Sequence, residues 1–157
     1  MYKKTRELIK ECLRILRQPP LVSIMEWANQ YRVLDTTSAK EVGKFNVERT
    51  PYMIEIYEKI TKGETKQVTL MMAAQLAKSE LIINTILRYA HLDPCPMLIV
   101  QPTDEMARSF SKERIQPAIN NSILHTIIKE PSKKDSGNTV THKMFPGGYI
   151  AFVGANS

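Results

Sequence analysis

The stretch Val68-Thr69-Leu70-Met71-Met72-Ala73-Ala74-Gln75-Leu76-Ala77-Lys78-Ser79-Glu80 decides how this chain folds. Its first five residues form a short apolar run between polar neighbours, which predicts a strand buried on both faces. A helix is expected from about Lys78 to His91, so Ala73 to Ala77 must turn the chain between the two. A phosphate-binding loop at such a junction needs a tight turn, converging backbone amides, a lysine for the outer phosphates and a hydroxyl for magnesium. Lys78 and Ser79 supply the last two. The glycines usual in such loops are missing, because Met72 and Ala77 stand where the spacing puts them. By itself the pattern is also that of an ordinary solvated first helical turn.

Downstream, Asp93-Pro94 breaks the helix and Met97 to Gln101 forms a second apolar strand. Thr103 is placed to cap a helix from Asp104 to about Asn120, whose first-turn acids Asp104 and Glu105 suit a positive helix N-terminus. After a polar loop over Pro131 to Asn138, Thr139 to Phe145 and Tyr149 to Val153 read as a hairpin about Pro146-Gly147-Gly148. Strands alternating with helices imply an α/β fold with a mostly parallel sheet and right-handed crossovers.

Upstream, apolar residues from Leu8 to Leu16 at mostly helical spacing, among Lys3, Lys10, Arg14 and Arg17, predict a basic amphipathic helix over Tyr2 to Gln18, stopped by Pro19-Pro20. A short helix is expected from Leu21 to Tyr31 and an irregular connector from Arg32 to Thr50. Thr50 as N-cap and Pro51 at the first position predict a helix from Pro51 to Thr61. The chain therefore divides into a helical and extended segment, 1–50, and an α/β portion, 51–157.

With 157 residues, 43% hydrophobic and 24% charged, the chain fits one globular domain and excludes disordered, collagen-like or coiled-coil classes. No apolar run approaches the roughly 20 residues that cross a bilayer, so no membrane partner is expected. The net charge of +6 favours polyanionic partners without naming one. Cys12 and Cys95 lie in unlike contexts and no secretory signal opens the chain, which points to a reducing compartment. His91, His125 and His142 share no zinc spacing with the cysteines.

The string Met71 to Glu80, then Asp93-Pro94-Cys95-Pro96-Met97-Leu98-Ile99-Val100-Gln101-Pro102-Thr103 and Ala107 to Pro117, resembles the tailed-phage terminase large subunit of the lambda-like type. Glu26-Trp27-Ala28-Asn29-Gln30-Tyr31-Arg32 and Thr50-Pro51-Tyr52 resemble its N-terminal pattern. Gly147-Gly148 and Gly154-Ala155-Asn156-Ser157 resemble a later segment. The likeness covers about residues 20 to 157, in family order and spacing.

The resemblance implies the N-terminal part of a P-loop ATPase domain of a DNA-packaging motor, using ATP and Mg2+, with a Walker A loop at Ala73, Ala74, Gln75, Leu76, Ala77, Lys78, Ser79 and Glu80. Lys78 would contact the outer phosphates, Ser79 would hold magnesium, and Gln101, Pro102 and Thr103 would lie beside the site where DNA coupling begins. Implied partners are double-stranded DNA, the terminase small subunit, the portal and capsid, and further copies in a homo-oligomer. The implied location is the cytoplasm of the bacterial host. The family also carries an endonuclease domain, to which no residue here is assigned. No apolar run ending in Asp-Glu occurs, so the chain is expected to be a truncated ATPase domain that binds nucleotide without turning it over.

Other residues carry two readings each. Ala77 in a left-handed conformation would cost about 1 to 2 kcal/mol, enough to weaken nucleotide binding roughly tenfold. Tyr52 either approaches the adenine or packs in the core. Trp27 and Tyr31 either stack on a base or, the plainer reading, anchor their helix on the domain. Arg108, Lys112 and Arg114 either meet DNA phosphates or, with Glu105 and Glu113 among them, form a solvated face. The basic N-terminal helix suits a partner's groove and simple packing equally. An alternative to the motor is an inactive prophage remnant that only binds DNA or a partner.

Overall fold

The computed structural model describes residues 5–9, 22–36, 42–128 and 138–156. Of the expected N-terminal helix, residues 5–9 are helical with Leu8 and Ile9 exposed, and the rest lies outside the described residues, as does most of the 131–138 loop.

Helix α1 (Ile24–Tyr31) starts where Ser23 and Glu26 form a reciprocal capping box, each side chain bonding the other's backbone amide. Its buried stripe of Ile24, Trp27 and Ala28 faces the two helices that follow. The connector beyond it holds a small ribbon of β1 (Val33–Leu34) and β2 (Gly43–Lys44), paired antiparallel, where the sequence predicted none. Pro51 opens a 3-10 turn, Pro51–Met53, that runs into α2 (Ile54–Thr61). Thr50 does not cap it: its hydroxyl turns back to the Val47 carbonyl, 3.3 Å away.

Helix α3 (Lys78–Leu92) follows the predicted bounds to within a residue and leads through Asp93-Pro94 to β3 (Pro96–Gln101). The Thr103 hydroxyl accepts the Met106 amide at 3.2 Å and opens α4 (Asp104–Phe110). The predicted single helix then widens into a π turn, Ser111–Ile115, before α5 (Gln116–Asn120). The hairpin forms as expected from β4 (His142–Phe145) and β5 (Gly148–Gly154), with Gly147 at φ 88° in the turn, a backbone region a β-carbon disfavours.

The main sheet has the order β3-β5-β4. β3 and β5 are parallel, from Pro96 beside Tyr149 to Gln101 beside Gly154, whereas β4 and β5 are antiparallel. The fold is therefore mixed α/β with a mixed sheet, which corrects the mostly parallel sheet expected from the strand and helix alternation. A second correction concerns Val68 to Met72, which form no strand: Met71 is 94% exposed and Val68 42%. Apolar runs predict burial only where a neighbouring strand exists to pair with, and none among the described residues pairs with this one.

Residues paired across strands share a face, so the sheet has two unlike sides. Ile150, Phe152 and Phe145 point into the core, where Ile83, Ile86 and Leu87 of α3, Ala107 of α4, and Ile115 and Ile119 beyond it meet Trp27. Each fully buried aliphatic side chain here contributes about 1.5 to 3 kcal/mol. A smaller core of Ile24, Val47, Met53, Tyr57 and Leu81 joins α1, α2 and the first turns of α3, and against it pack Leu70, Met72 and Ala77. That second core seats the loop entering α3.

Candidate functional site

The loop from Ala73 to Ala77 is built on two left-handed residues, Gln75 at φ 63° and Ala77 at φ 55°, with Leu76 at negative φ between them. Alternating signs of φ turn successive amides toward one side and make a concave anion seat. Ala77 is the N-cap of α3 at ψ 17° and provides no side-chain cap, whereas Ser23 and Thr103 cap their helices. The first ladder bond runs from the Leu81 amide to the Ala77 carbonyl, 3.0 Å, so the amides of Lys78, Ser79 and Glu80 lie ahead of the helical ladder. An anion at that mouth meets both the amides and the positive end of a fifteen-residue helix.

Lys78 curls back over the loop. Its ammonium donates to the Ala73 carbonyl at 2.5 Å and to the Met72 carbonyl at 3.3 Å. The cation is thus held across the entry to the turn. Ser79 sits beside it in the first turn, half-buried. These groups fit magnesium and a polyphosphate: one ammonium, one hydroxyl, amides ahead of a helix, and a curved backbone.

Beside the loop lies a cavity of about 160 Å³, lined by Leu34, Phe45, Asn46, Arg49, Thr50, Tyr57, Ala77 and Glu80. It is smaller than the ~300 Å³ of a typical small-molecule site, room for one ring system. Leu34 and Phe45 give it apolar wall, and Asn46 and Arg49 give it polar rim. Tyr52 does not line it. That ring is 48% exposed on the 3-10 turn, so it is not a core residue either, and Tyr57, one and a half turns on, holds the inner position.

Behind the cavity runs a buried polar chain that sequence reasoning missed. Arg32, 2% exposed, donates from Nη2 to Glu80 Oε2 at 2.6 Å and from Nε to Asn84 Oδ1 at 3.0 Å. Asn84 Nδ2 donates in turn to the Tyr57 hydroxyl at 2.9 Å. Burial pushes the Tyr57 phenol up to about 12, and the Asn84 hydrogen bond opposes that rise. Among the described residues no buried side-chain nitrogen or oxygen lacks a partner. The only sequence signal was that Asn84 and Arg32 are polar residues at otherwise apolar positions.

Gln101, Pro102 and Thr103 lie at the carboxyl end of β3, where Thr103 caps α4. The Gln101 carbonyl accepts the Ala155 amide at 2.7 Å, and Asp104 Oδ1 accepts the Gly154 amide at 2.8 Å. A β-carbon on Gly154 would fall 2.5 Å from the Asp104 nitrogen, so glycine is required for that approach. Trp27 is wholly buried, its indole N–H donating to His91 Nδ1 at 2.9 Å, with Tyr31 edge-on to His91. It is an anchor and not a base-stacking face. Arg108 and Lys112 are exposed, and Arg114 reaches back toward Glu80.

A family model described as phage terminase large subunit gpA, ATPase domain, matches residues 39–157, from the β-ribbon connector through the loop to the end of β5. The chain belongs to this terminase family. The large terminase subunit of Escherichia phage lambda is 25% identical over 146 residues, covering 92% of the chain and 22% of the lambda protein. That of Enterobacteria phage P21 is 23% identical over 137 residues, covering 87% of the chain and 21% of the relative. The chain thus spans about a fifth of the length of these terminase relatives. No solved structure matches it. Membership in a terminase ATPase-domain family implies nucleotide binding. No helix among the described residues is long and apolar enough to cross a membrane.

Proposed function

We propose that Ala73 to Glu80 form a Walker A-type loop of a P-loop fold that seats the triphosphate of ATP. The carrying observation is the pair of left-handed residues, Gln75 and Ala77, turning amides toward the mouth of an uncapped helix that Lys78 closes. Lys78 exchanges its two carbonyl partners for the outer phosphates, and the Ser79 hydroxyl holds magnesium. Magnesium, when bound there, neutralises charge on the β- and γ-phosphate oxygens. The cavity of Phe45, Asn46, Arg49 and Tyr57 takes the base, so the nucleoside end lies against the second core and the phosphates against the loop.

The larger setting follows the terminase family. In this reading the site drives double-stranded DNA into a capsid through the portal, in a ring of copies, with the small subunit as DNA-recognising partner, in the host cytoplasm. Residues 51–157 supply the nucleotide-binding part and 1–50 a flanking helical segment. The Gln101-Pro102-Thr103 segment relays nucleotide state to DNA, and nuclease activity belongs to other parts of a longer subunit. A second reading, a remnant that binds DNA or a partner without ATP, draws on the β-carbon that Ala77 carries in a left-handed position.

Isothermal titration with Mg-ATP separates them. The first reading expects saturable binding by the wild type that Lys78→Ala removes, with the variant's far-ultraviolet circular dichroism unchanged. Absence of heat in both proteins overturns it.

A further inference from the structure

Resting on the nucleotide reading above, we infer that the Tyr57 hydroxyl selects the base, donating to the unprotonated N1 of adenine and rejecting the N1–H of guanine. The direction of each bond in the buried chain follows from its arginine. Arg32 only donates, so the Asn84 atom that meets its Nε at 3.0 Å is fixed as the oxygen, Oδ1. The other end of that amide is then Nδ2, which donates to the Tyr57 oxygen at 2.9 Å. The phenol oxygen accepts there, and its own proton is left to give. Among the described residues no acceptor takes that proton. Burial holds the phenol at about 12, so the proton stays on at neutral pH. Tyr57 is 2% exposed and lines the cavity, so an acceptor entering there relieves a buried donor that is otherwise unmatched.

The rest of the cavity wall is weighted the same way. Asn46 Oδ1 accepts the Glu48 amide at 2.9 Å, which leaves Nδ2 as a donor, and the Arg49 guanidinium has only donors. Thr50 gives its proton to the Val47 carbonyl and keeps lone pairs with which to accept. Glu80, the carboxylate on this wall, has its oxygens turned to Arg32 and Arg114. Such a wall suits adenine, whose ring nitrogens beyond the ribose all accept and whose amino group needs one acceptor. Guanine brings N1–H and a 2-amino group, and sets donor against donor.

The ribose decides which edge goes in. Attached at N9, it leads back to the loop at Ala77, so the opposite edge of the purine, which carries N1, enters deepest. Tyr57 holds the inner position, whereas Asn46 and Arg49 are exposed at the rim. A site that spends a hydrogen bond on one ligand atom rejects the analogue that leaves its own polar group unpaired.

The test is isothermal titration of Mg-ATP, Mg-GTP and Mg-1-deaza-ATP, in which C–H replaces N1, into the 157-residue chain, Tyr57→Phe and Tyr52→Phe. Tyr52 is exposed and lies off the cavity, so its variant controls for loss of a phenol. The wild type should bind Mg-ATP about tenfold tighter than either of the other two. In Tyr57→Phe all three affinities should agree within about threefold, because the lost hydrogen bond counts only against the nucleotide that made it. Tyr52→Phe should keep the wild-type order. Equal affinity of the wild type for Mg-ATP and Mg-1-deaza-ATP overturns the inference without recourse to any variant, while the loop reading stands. So does a preference that survives in Tyr57→Phe or disappears in Tyr52→Phe. A wild-type chain that binds none of the three overturns the loop reading, and this inference with it.

Discussion

Ala77 concentrates the tension in the site, because a side chain occupies a conformation at φ 55° that glycine adopts freely. Ala77→Gly removes about 1 kcal/mol of backbone strain in the folded chain, but it also loosens the unfolded chain, which offsets part of the gain. Net thermal stability should therefore rise by no more than a few degrees. Mg-ATP affinity should change less than about threefold, since the loop already holds Ala77 in that conformation without nucleotide and the strain is common to the free and bound states. A larger change in a titration of the variant would count against that loop geometry. Tyr57 makes a second residue-level prediction. Its phenol titrates near 10 in the unfolded chain and at about 12 in the fold. Stability is then fully present below pH 10 and is lost as pH rises from 10 through 12. Urea midpoints measured along that range should fall in the wild type and hold flatter in Tyr57→Phe.

Among elements, the chain Arg32, Glu80, Asn84 and Tyr57 ties the end of α1, the first turns of α3 and α2 together behind the candidate site. Removing Arg32 leaves the partly buried Glu80 with only the more distant Arg114 and takes a donor from Asn84, so Arg32→Leu should cost about 1 to 3 kcal/mol, measured by chemical denaturation. The joint between α1 and α3 has its own pH dependence. Trp27 donates to His91 Nδ1, which requires that nitrogen unprotonated, and burial pushes His91 below its usual range. The unfolded chain thus binds the proton more readily than the fold. Stability should be constant above about pH 6.5 and fall as pH drops below it. His91→Asn should flatten that acid limb and shift the Trp27 fluorescence. These joints mark what was and was not legible in the sequence. The bounds of α3, the Thr103 cap and the hairpin were readable because caps, prolines and periodicity act locally. The β-ribbon at Val33 and Gly43, the π turn and the cavity walls at Phe45 and Arg49 depend on contacts between distant segments, for which no local pattern exists. Lys78 and Ser79 could be nominated from spacing, whereas the partners of Glu80 could not.

For the whole molecule, the dominant unbalanced feature among the described residues is the exposed apolar side of the main sheet. Leu98 is 63% exposed, Val100 54%, Met144 48% and Tyr149 40%, and the pairing register puts Ala151 and Val153 on the same side. Parallel strand pairs are normally covered on both faces by helices, yet α1, α3, α4 and α5 all serve the opposite one. The misreading of Val68 to Met72 belongs with this: its apolar residues are those of a buried strand, but no strand lies beside it among the described residues. Contiguous apolar surface of this kind promotes association between copies. Sedimentation velocity on the 157-residue chain should therefore show concentration-dependent self-association. Leu98→Lys should reduce it while moving the melting temperature by less than about 2 °C, because a side chain that is largely solvated in the fold contributes little to stability. Should the variant melt much lower, Leu98 would be packed in solution and the sheet would have a cover of its own. A soluble Leu98→Lys chain that keeps nucleotide affinity would also place the binding site and the open face on separate parts of the molecule, as the route from loop to second core requires.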